Sequence, residues 1–239
     1  MIVTGGQPIT KNIVECIGNV CQSLTVAYGG TELGPVSAGT LSDRSAFEDF
    51  FCGKIIPWVK VKIVDTDGKS LPINNVGEIY LQTPFLFDRY FNDDEKTRSS
   101  FSKDAWFKTD DMGLVNDKQE LFVYGRKSSM IISGGMNVTP EIMEKVLCSC
   151  PGVDDCVVVP VRDPAYYQVL CAVVVKKSSS LTEDQVRKFC EEYHNDKPRL
   201  FTVLPKYYMF LDKLPLTYTG KIARKKVTEL AESTFCQNI

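Results

Sequence analysis

Thr25-Val-Ala-Tyr-Gly-Gly-Thr-Glu-Leu-Gly-Pro35 is the stretch from which the rest of the chain can be read. A strand-like run, Leu24 to Tyr28, leads into a glycine turn at Gly29-Gly30, and a hydroxyl and a carboxylate follow at Thr31 and Glu32. Backbone N–H groups exposed in such a turn can hold phosphate oxygens. A threonine hydroxyl can add a hydrogen bond, a glutamate can share Mg2+ with a phosphate, and Tyr28 offers a flat face to a base. A plain Gly-Gly loop with a surface glutamate would have the same sequence, so the segment is weighed with its neighbours.

Three other segments have the same character. Gly5-Gly6-Gln7-Pro8 is a second glycine turn after a strand. Trp106-Phe-Lys-Thr-Asp-Asp-Met-Gly113 is acidic, with Gly125-Arg126 downstream. A carboxylate accepting from two vicinal hydroxyls holds a ribose, and a nearby arginine can donate to that sugar or to phosphate. Near the end, Leu214-Pro-Leu-Thr-Tyr-Thr-Gly-Lys-Ile-Ala-Arg224 presents Lys221 on a Thr-Gly turn ahead of a basic helix start. Glycine permits the tight turn, and the lysine can reach a negative group as a point charge. Singly, each also fits a solvated surface turn.

The bulk properties narrow the field. The 239 residues are 44% hydrophobic and 24% charged, enough for one large domain or two smaller ones. A net charge of -2 argues against a nucleic-acid partner held by a basic face. No apolar run approaches the ~20 residues of a membrane span, and Met1-Ile-Val-Thr-Gly-Gly6 lacks the basic and apolar regions of a signal peptide. Nine scattered cysteines, an odd number without a Cys-x-x-Cys pair, are expected to be thiols in a reducing, intracellular compartment. With one histidine, His194, in a charged stretch, a zinc site or a Ser-His-Asp triad has little raw material.

Periodicity sets the organisation. Thr10 caps a helix whose apolar stripe is Ile13, Val14, Ile17, Val20, Cys21 and Leu24. Short β segments dominate from about 55 to 125, including Val59–Val64, Gly77–Leu81 and a hairpin from Leu114 to Tyr124. Beyond the polar break at Gly125–Ser129, Met130–Ile132 is a brief strand ending at Gly134-Gly135. Thr139-Pro140 starts a helix, and Cys156–Val159 and Leu170–Val175 are buried strands. Thr182-Glu-Asp-Gln185 is a capping box, with Pro198 stopping its helix. Lys206–Leu211 is a strand and Ile222–Glu232 a last helix. The fold class is therefore mixed α/β, with residues 129–239 a compact α+β unit.

Together the segments resemble the adenylate-forming superfamily of acyl-CoA synthetases, coumarate–CoA ligases, luciferase and peptide-synthetase adenylation domains. Ala27-Tyr-Gly-Gly-Thr-Glu32 is similar to its Tyr-Gly-x-Thr-Glu motif, and Gly5-Gly6-Gln7-Pro8 to its adenine-side turn. Gly77–Leu81 with Arg89-Tyr-Phe-Asn92 and Thr97 resembles the next block. Trp106–Asp111 resembles Trp-x-x-Thr-Gly-Asp, Gly125-Arg126 and Gly134–Pro140 resemble the hinge and the segment beyond, and Pro215–Arg224 resembles Pro-x-Thr-x-x-Gly-Lys-x-x-Arg. All occur in the family's order.

The resemblance implies the C-terminal portion of an enzyme that activates a carboxylic acid with ATP to an acyl-adenylate, then passes the acyl group to coenzyme A. It implies residues 1–126 from the large domain, a hinge at about 126–129 and a mobile small domain at 129–239. By that likeness Gly6, Gln7, Tyr28, Gly29, Thr31, Asp111 and Arg126 bind nucleotide, with Tyr28 stacking on adenine and Asp111 on ribose. Glu32 holds Mg2+, Thr31 and Lys221 act on phosphate, and Gly134, Gly135 and Asn137 form the coenzyme A side. A fatty acid is the expected substrate; the rivals are a truncated, inactive homologue acting as a binding or regulatory module and, among enzymes, a luciferase-like or peptide-synthetase adenylation domain. There are departures: Asp110 stands where the family has glycine, Ser128 and Ser129 replace the usual charged hinge residues, and Met136 replaces a common glutamate. The family's Ser/Thr/Gly-rich phosphate loop has no counterpart in the chain, so the chain alone is expected to turn over little.

Overall fold

The computed structural model describes the chain except residues 7, 8, 10, 19, 42, 46, 197–202 and 237–239. Gln7, the Thr10 cap and the Pro198 stop thus lie outside the described residues. The fold is mixed α/β, with two sheets and few helices. The chain divides into two compact units, Met1–Ser128 and Ser129–Ile239.

The first unit is built on one eight-stranded sheet. Its strands are β1 (Ile2–Gly5), β2 (Leu24–Gly30), β3 (Gly34–Leu41), β4 (Phe51–Ile55), β5 (Lys60–Val64), β6 (Gly77–Gln82), β7 (Phe107–Val115) and β8 (Glu120–Arg126), in the order β1-β2-β3-β4-β8-β7-β6-β5. The β-rich region beyond residue 55 therefore shares a sheet with the N-terminal strands, joined through β4. Helix α1 (Lys11–Gly18) packs beside β2, where Ile9, Val14, Leu24 and Val26 form a small core with Phe47. A larger core runs under β3 to β8, with Val36, Ile63, Ile79, Leu81 and Leu121 at its centre.

Two local readings are corrected here. The apolar stripe of α1 stops at Gly18: Val20 is exposed and Leu24 is buried as the first residue of β2. Apolar residues spaced every three or four fit a helix, yet those beyond Gly18 serve a turn and a strand. Second, Gly29 and Gly30 are paired strand residues, opposite Pro35 and Gly34, and the turn itself is Thr31–Leu33. A Cβ on Gly29 would lie 2.5 Å from the Gly34 carbonyl oxygen, so the two chains can approach only because the side chain is absent.

The second unit has β9 (Ile131–Ser133), β10 (Met136–Val138), β11 (Val153–Asp163), β12 (Tyr167–Lys176) and β13 (Tyr207–Leu211). The hairpin β11–β12 is the spine, and β13 runs parallel to β12 from Cys171 to Val175. Its valine runs are continuous because both faces are covered. Cys156, Val158, Leu170, Ala172 and Val174 face helices α3 (Pro140–Cys148) and α4 (Glu183–Asp196). The alternate residues, Val157, Val159, Val161, Cys171 and Val173, face α5 (Arg224–Phe235).

Helix starts differ in chemistry. Thr182 and Gln185 form a reciprocal capping box, the Thr182 amide donating to Gln185 Oε1 at 2.9 Å and the Gln185 amide to Thr182 Oγ1 at 3.3 Å. At Thr139 the backbone has N-cap geometry with Pro140 following, but the hydroxyl caps nothing. There the pyrrolidine, pre-set for the first turn, starts the helix. The last helix begins at Arg224, two residues later than the apolar pattern predicts.

Candidate functional site

In the first unit the sheet register brings three of the predicted residues into contact. Asp111 on β7 stands opposite Arg126 on β8, and Arg126 Nε lies 3.6 Å from Asp111 Oδ1. The Tyr28 hydroxyl at the end of β2 donates to Asp111 Oδ2 at 2.5 Å. Thr109 braces the same turn, its hydroxyl donating to the Ile79 carbonyl at 2.8 Å and accepting from the Asp111 amide at 3.0 Å. Asp110 lies between them at φ 64, the left-handed region that glycine enters without strain. β1 pairs in parallel with β2 and ends opposite Ala27, next to Tyr28, with Gly6 following at φ 81.

Burial pushes the Asp111 carboxyl above its ordinary range, while the Tyr28 bond and the Arg126 charge pull it part of the way back. Burial, then the Asp111 charge, pushes the Tyr28 hydroxyl well up, so it stays protonated and donates. The result is a half-buried carboxylate, fixed from two sides and able to accept from vicinal hydroxyls. Tyr28 makes a contact that its sequence position did not reveal: its ring packs against the core while its hydroxyl orients the carboxylate.

Glu32 sits in the β2–β3 turn, with Thr31 exposed beside it. The Tyr90 hydroxyl donates to Glu32 Oε1 at 3.1 Å, and the Glu32 carbonyl accepts from the Phe87 amide at 2.9 Å. Tyr90 is itself held: its amide donates to Thr97 Oγ1 at 3.0 Å, and Lys96 Nζ lies 4.3 Å from its ring centre. Thr97 belongs to the short helix α2 (Asp94–Ser99). Among the described residues no cluster of three or more His, Cys, Asp or Glu could hold a metal. A single oriented carboxylate suits a Mg2+ ion that takes its other ligands from phosphate and water, so Glu32 fits that assignment.

In the second unit Lys221 is exposed on a narrow turn. Leu216 bridges Ile222, the Thr217 amide donates to the Lys221 carbonyl at 2.7 Å, and Gly220 takes φ 79. Three residues on, Arg224 is no solvated helix-start cation. Its Nη1 and Nη2 donate to Glu144 Oε1 and Oε2 at 2.7 and 2.8 Å, Nη1 also reaches the Val158 carbonyl at 3.1 Å, and Nη2 reaches Glu141 at 3.3 Å. Burial opposes its charge most strongly, but the Glu144 bonds and the charges of Glu144 and Glu141 together outweigh it and hold the guanidinium charged. The lysine turn is thus tied at its base to α3 and β11.

Gly134 and Gly135 make the two-residue β9–β10 hairpin turn, both at positive φ (57 and 82), which suits a type I′ turn. The Gly134 amide donates to the Tyr166 carbonyl at 3.0 Å, and Asn137 is exposed opposite Ile132.

Sequence reasoning left three partners without a role. Tyr90 lies in a quoted motif block but carries no signal that it reaches Glu32, 58 positions away. Glu141 and Glu144 sit on one helical face three apart, a hint of a cation that the sequence does not locate.

The family described as AMP-binding enzyme matches residues 1–91, and the one described as AMP-binding enzyme C-terminal domain matches residues 142–221. The chain belongs to this family of adenylate-forming enzymes. It is 33% identical over 231 residues to 4-coumarate–CoA ligase 2 of Nicotiana tabacum, a match covering 94% of this chain and 42% of that protein. With 4-coumarate–CoA ligase 1 of Glycine max the identity is 32% over 233 residues, covering 94% of this chain and 78% of that one. Among solved structures, ATP-bound MatB from Rhodopseudomonas palustris superposes with a TM-score of 0.84 at 26% identity, over 98% of this chain and 46% of that one. The chain spans about two fifths of the length of the tobacco relative.

Proposed function

We propose that the protein carrying this chain is an AMP-forming acid–CoA ligase and that this chain supplies its ribose and metal-side residues and its adenylation lysine. The observation that carries the reading is the carboxylate of Asp111, fixed between the Tyr28 hydroxyl and Arg126. It is supported by the CoA ligases the chain resembles and by the ATP-bound state of MatB.

In the reaction, the acid's carboxylate attacks the α-phosphorus of ATP, an acyl–phosphate bond forms and pyrophosphate leaves. The thiol of coenzyme A then attacks the acyl carbon and AMP leaves. Asp111 and Arg126 hold the sugar, Tyr28 the base, and Thr31 donates to phosphate. Lys221 offsets negative charge at the phosphoryl centre, a positioning and electrostatic task. Glu32 would hold Mg2+, which neutralises phosphate charge when bound. Gly134, Gly135 and Asn137 belong to the coenzyme A step.

A fatty acid is the first substrate class; the aryl acid named for the coumarate relatives is the second. Acid-dependent exchange of labelled pyrophosphate into ATP, run on the intact protein with both classes, decides. The preferred acid supports exchange, and Lys221→Ala lowers it by about 100-fold or more. Exchange unchanged by Lys221→Ala refutes the role of the lysine, and no exchange with either class refutes the ligase reading.

A further inference from the structure

At the end of α3, Cys148 Sγ lies 3.3 Å from Cys156 Sγ on β11. The two differ in access. Cys148 is exposed on the last residue of the helix, whereas Cys156 is 3% exposed and lies in the core beneath it. Cys156 Sγ also lies 3.3 Å from the Glu144 carbonyl oxygen, so its one proton has two acceptors, that carbonyl and Cys148.

Among the described residues, Cys52, Cys150, Cys171 and Cys190 lack this combination. Cys52, Cys171 and Cys190 are buried, and burial pushes each up to about 12, leaving them protonated at neutral pH. Cys150, two residues from Cys148, is buried and also raised, with its sulfur 3.8 Å from the Pro151 carbonyl.

We propose that Cys148 and Cys156 form an oxidisable dithiol, in which an exposed thiolate at Cys148 attacks a peroxide and Cys156 resolves the product to a disulfide. Donation from Cys156 favours the thiolate of Cys148, against burial and the charges of Asp155 and Glu144. In the first step the Cys148 sulfur takes one peroxide oxygen: the S–O bond forms, the O–O bond breaks, and hydroxide leaves to become water. In the second, the Cys156 sulfur attacks Cys148, the S–O bond breaks, and the oxygen departs as water with the Cys156 proton. Two thiols and one peroxide give one disulfide and two waters, the sulfurs losing the two electrons that the peroxide gains.

The bond would staple the C-terminal end of α3 to β11 across eight residues and remove the proton that Cys156 offers to the Glu144 carbonyl. Glu144 is also the residue whose carboxylate grips Arg224. The chemistry itself is independent of what Lys221 does.

The 239-residue chain is sufficient for the test. Treated with hydrogen peroxide and cut before Asp154, it should yield a peptide holding Cys148 linked to one holding Cys156, lighter by two hydrogens and separated by dithiothreitol. Cys148 should react about tenfold or more faster than Cys171 or Cys190. In Cys156→Ser, Cys148 should stop at the sulfenic acid and be trapped by dimedone, while Cys150→Ser should leave the link intact. Because a buried serine can disturb the fold, the native chain is also compared with the urea-unfolded chain. A link that forms no faster when folded, or that runs through Cys150, overturns the proposal.

Discussion

Asp110 accepts two hydrogen bonds from Ser128, one from the backbone amide at 3.2 Å and a short one from the hydroxyl. These are two of the positions at which the chain departs from its family's motifs, and the departures meet. A non-glycine residue with φ 64, where the motif it resembles has glycine, is strained, and here the side chain responsible also finds two donors just beyond β8.

A clear order of stabilities follows. Asp110→Ala keeps the strained backbone and loses both bonds; Asp110→Gly loses the bonds but relieves the strain. Asp110→Ala should therefore be less stable than Asp110→Gly by about 1 kcal/mol in urea unfolding. Ser128→Ala should destabilise the native chain yet be neutral in Asp110→Gly. Additive effects in that double-mutant cycle would show that the pair is uncoupled.

Asp111 should weaken the fold at neutral pH. Its native carboxyl is raised above 3.8, chiefly by burial, so the folded state prefers the protonated form. That contribution is whole below the unfolded value and is lost as pH rises through the raised native one. Asp111→Asn should accordingly be more stable than the native chain at pH 7, with the gap closing as pH falls toward 3.8. A less stable variant at pH 7 would mean that the Arg126 contact outweighs desolvation.

Glu144→Gln leaves the Arg224 guanidinium half-buried with a poorer acceptor. With side-chain exposures of 32% and 15%, the pair falls short of full burial, so a loss of roughly 2–3 kcal/mol is expected in urea unfolding. Arg224→Lys should lose nearly as much, because an ammonium cannot span both Glu144 oxygens and the Val158 carbonyl. Full stability in Arg224→Lys would reduce the clamp to a simple charge contact.

Tyr90→Phe keeps the ring under Lys96 and removes the donor to Glu32. Loss of such an outer partner weakens metal binding by about 10-fold or more. In the intact protein, the Mn2+ titration followed by electron paramagnetic resonance with ATP present should shift to higher metal, and the Mg2+ dependence of pyrophosphate exchange should shift with it. An unmoved titration would leave Tyr90 a packing residue.

What the sequence disclosed was local. The Thr182–Gln185 box forms as spelled, because both partners lie within one helical turn. The acidic β7 segment and Arg126 could be paired by motif, and the hairpin register delivers them. Contacts made by side chains 58 to 83 positions apart were not legible: Tyr90 to Glu32, Arg224 to Glu144, Tyr28 to Asp111. They depend on where the sheet and the helices set each backbone, which periodicity does not encode. The overrun of the α1 stripe has a related cause, since Leu24 is apolar for the sake of β2.

The grip on Arg224 also divides the basic stretch into bonds a protease can reach and bonds it cannot. Between Thr217 and Lys221 the chain is exposed and closed by few bonds, whereas three positions later the arginine is fastened by its whole fork. Limited trypsin should cut after Lys221 well before it cuts after Arg224, so the fragment pattern reports whether the fastening holds. The loop can thus be loose at its tip and fixed in its aim, as an arm is when only the shoulder is bolted.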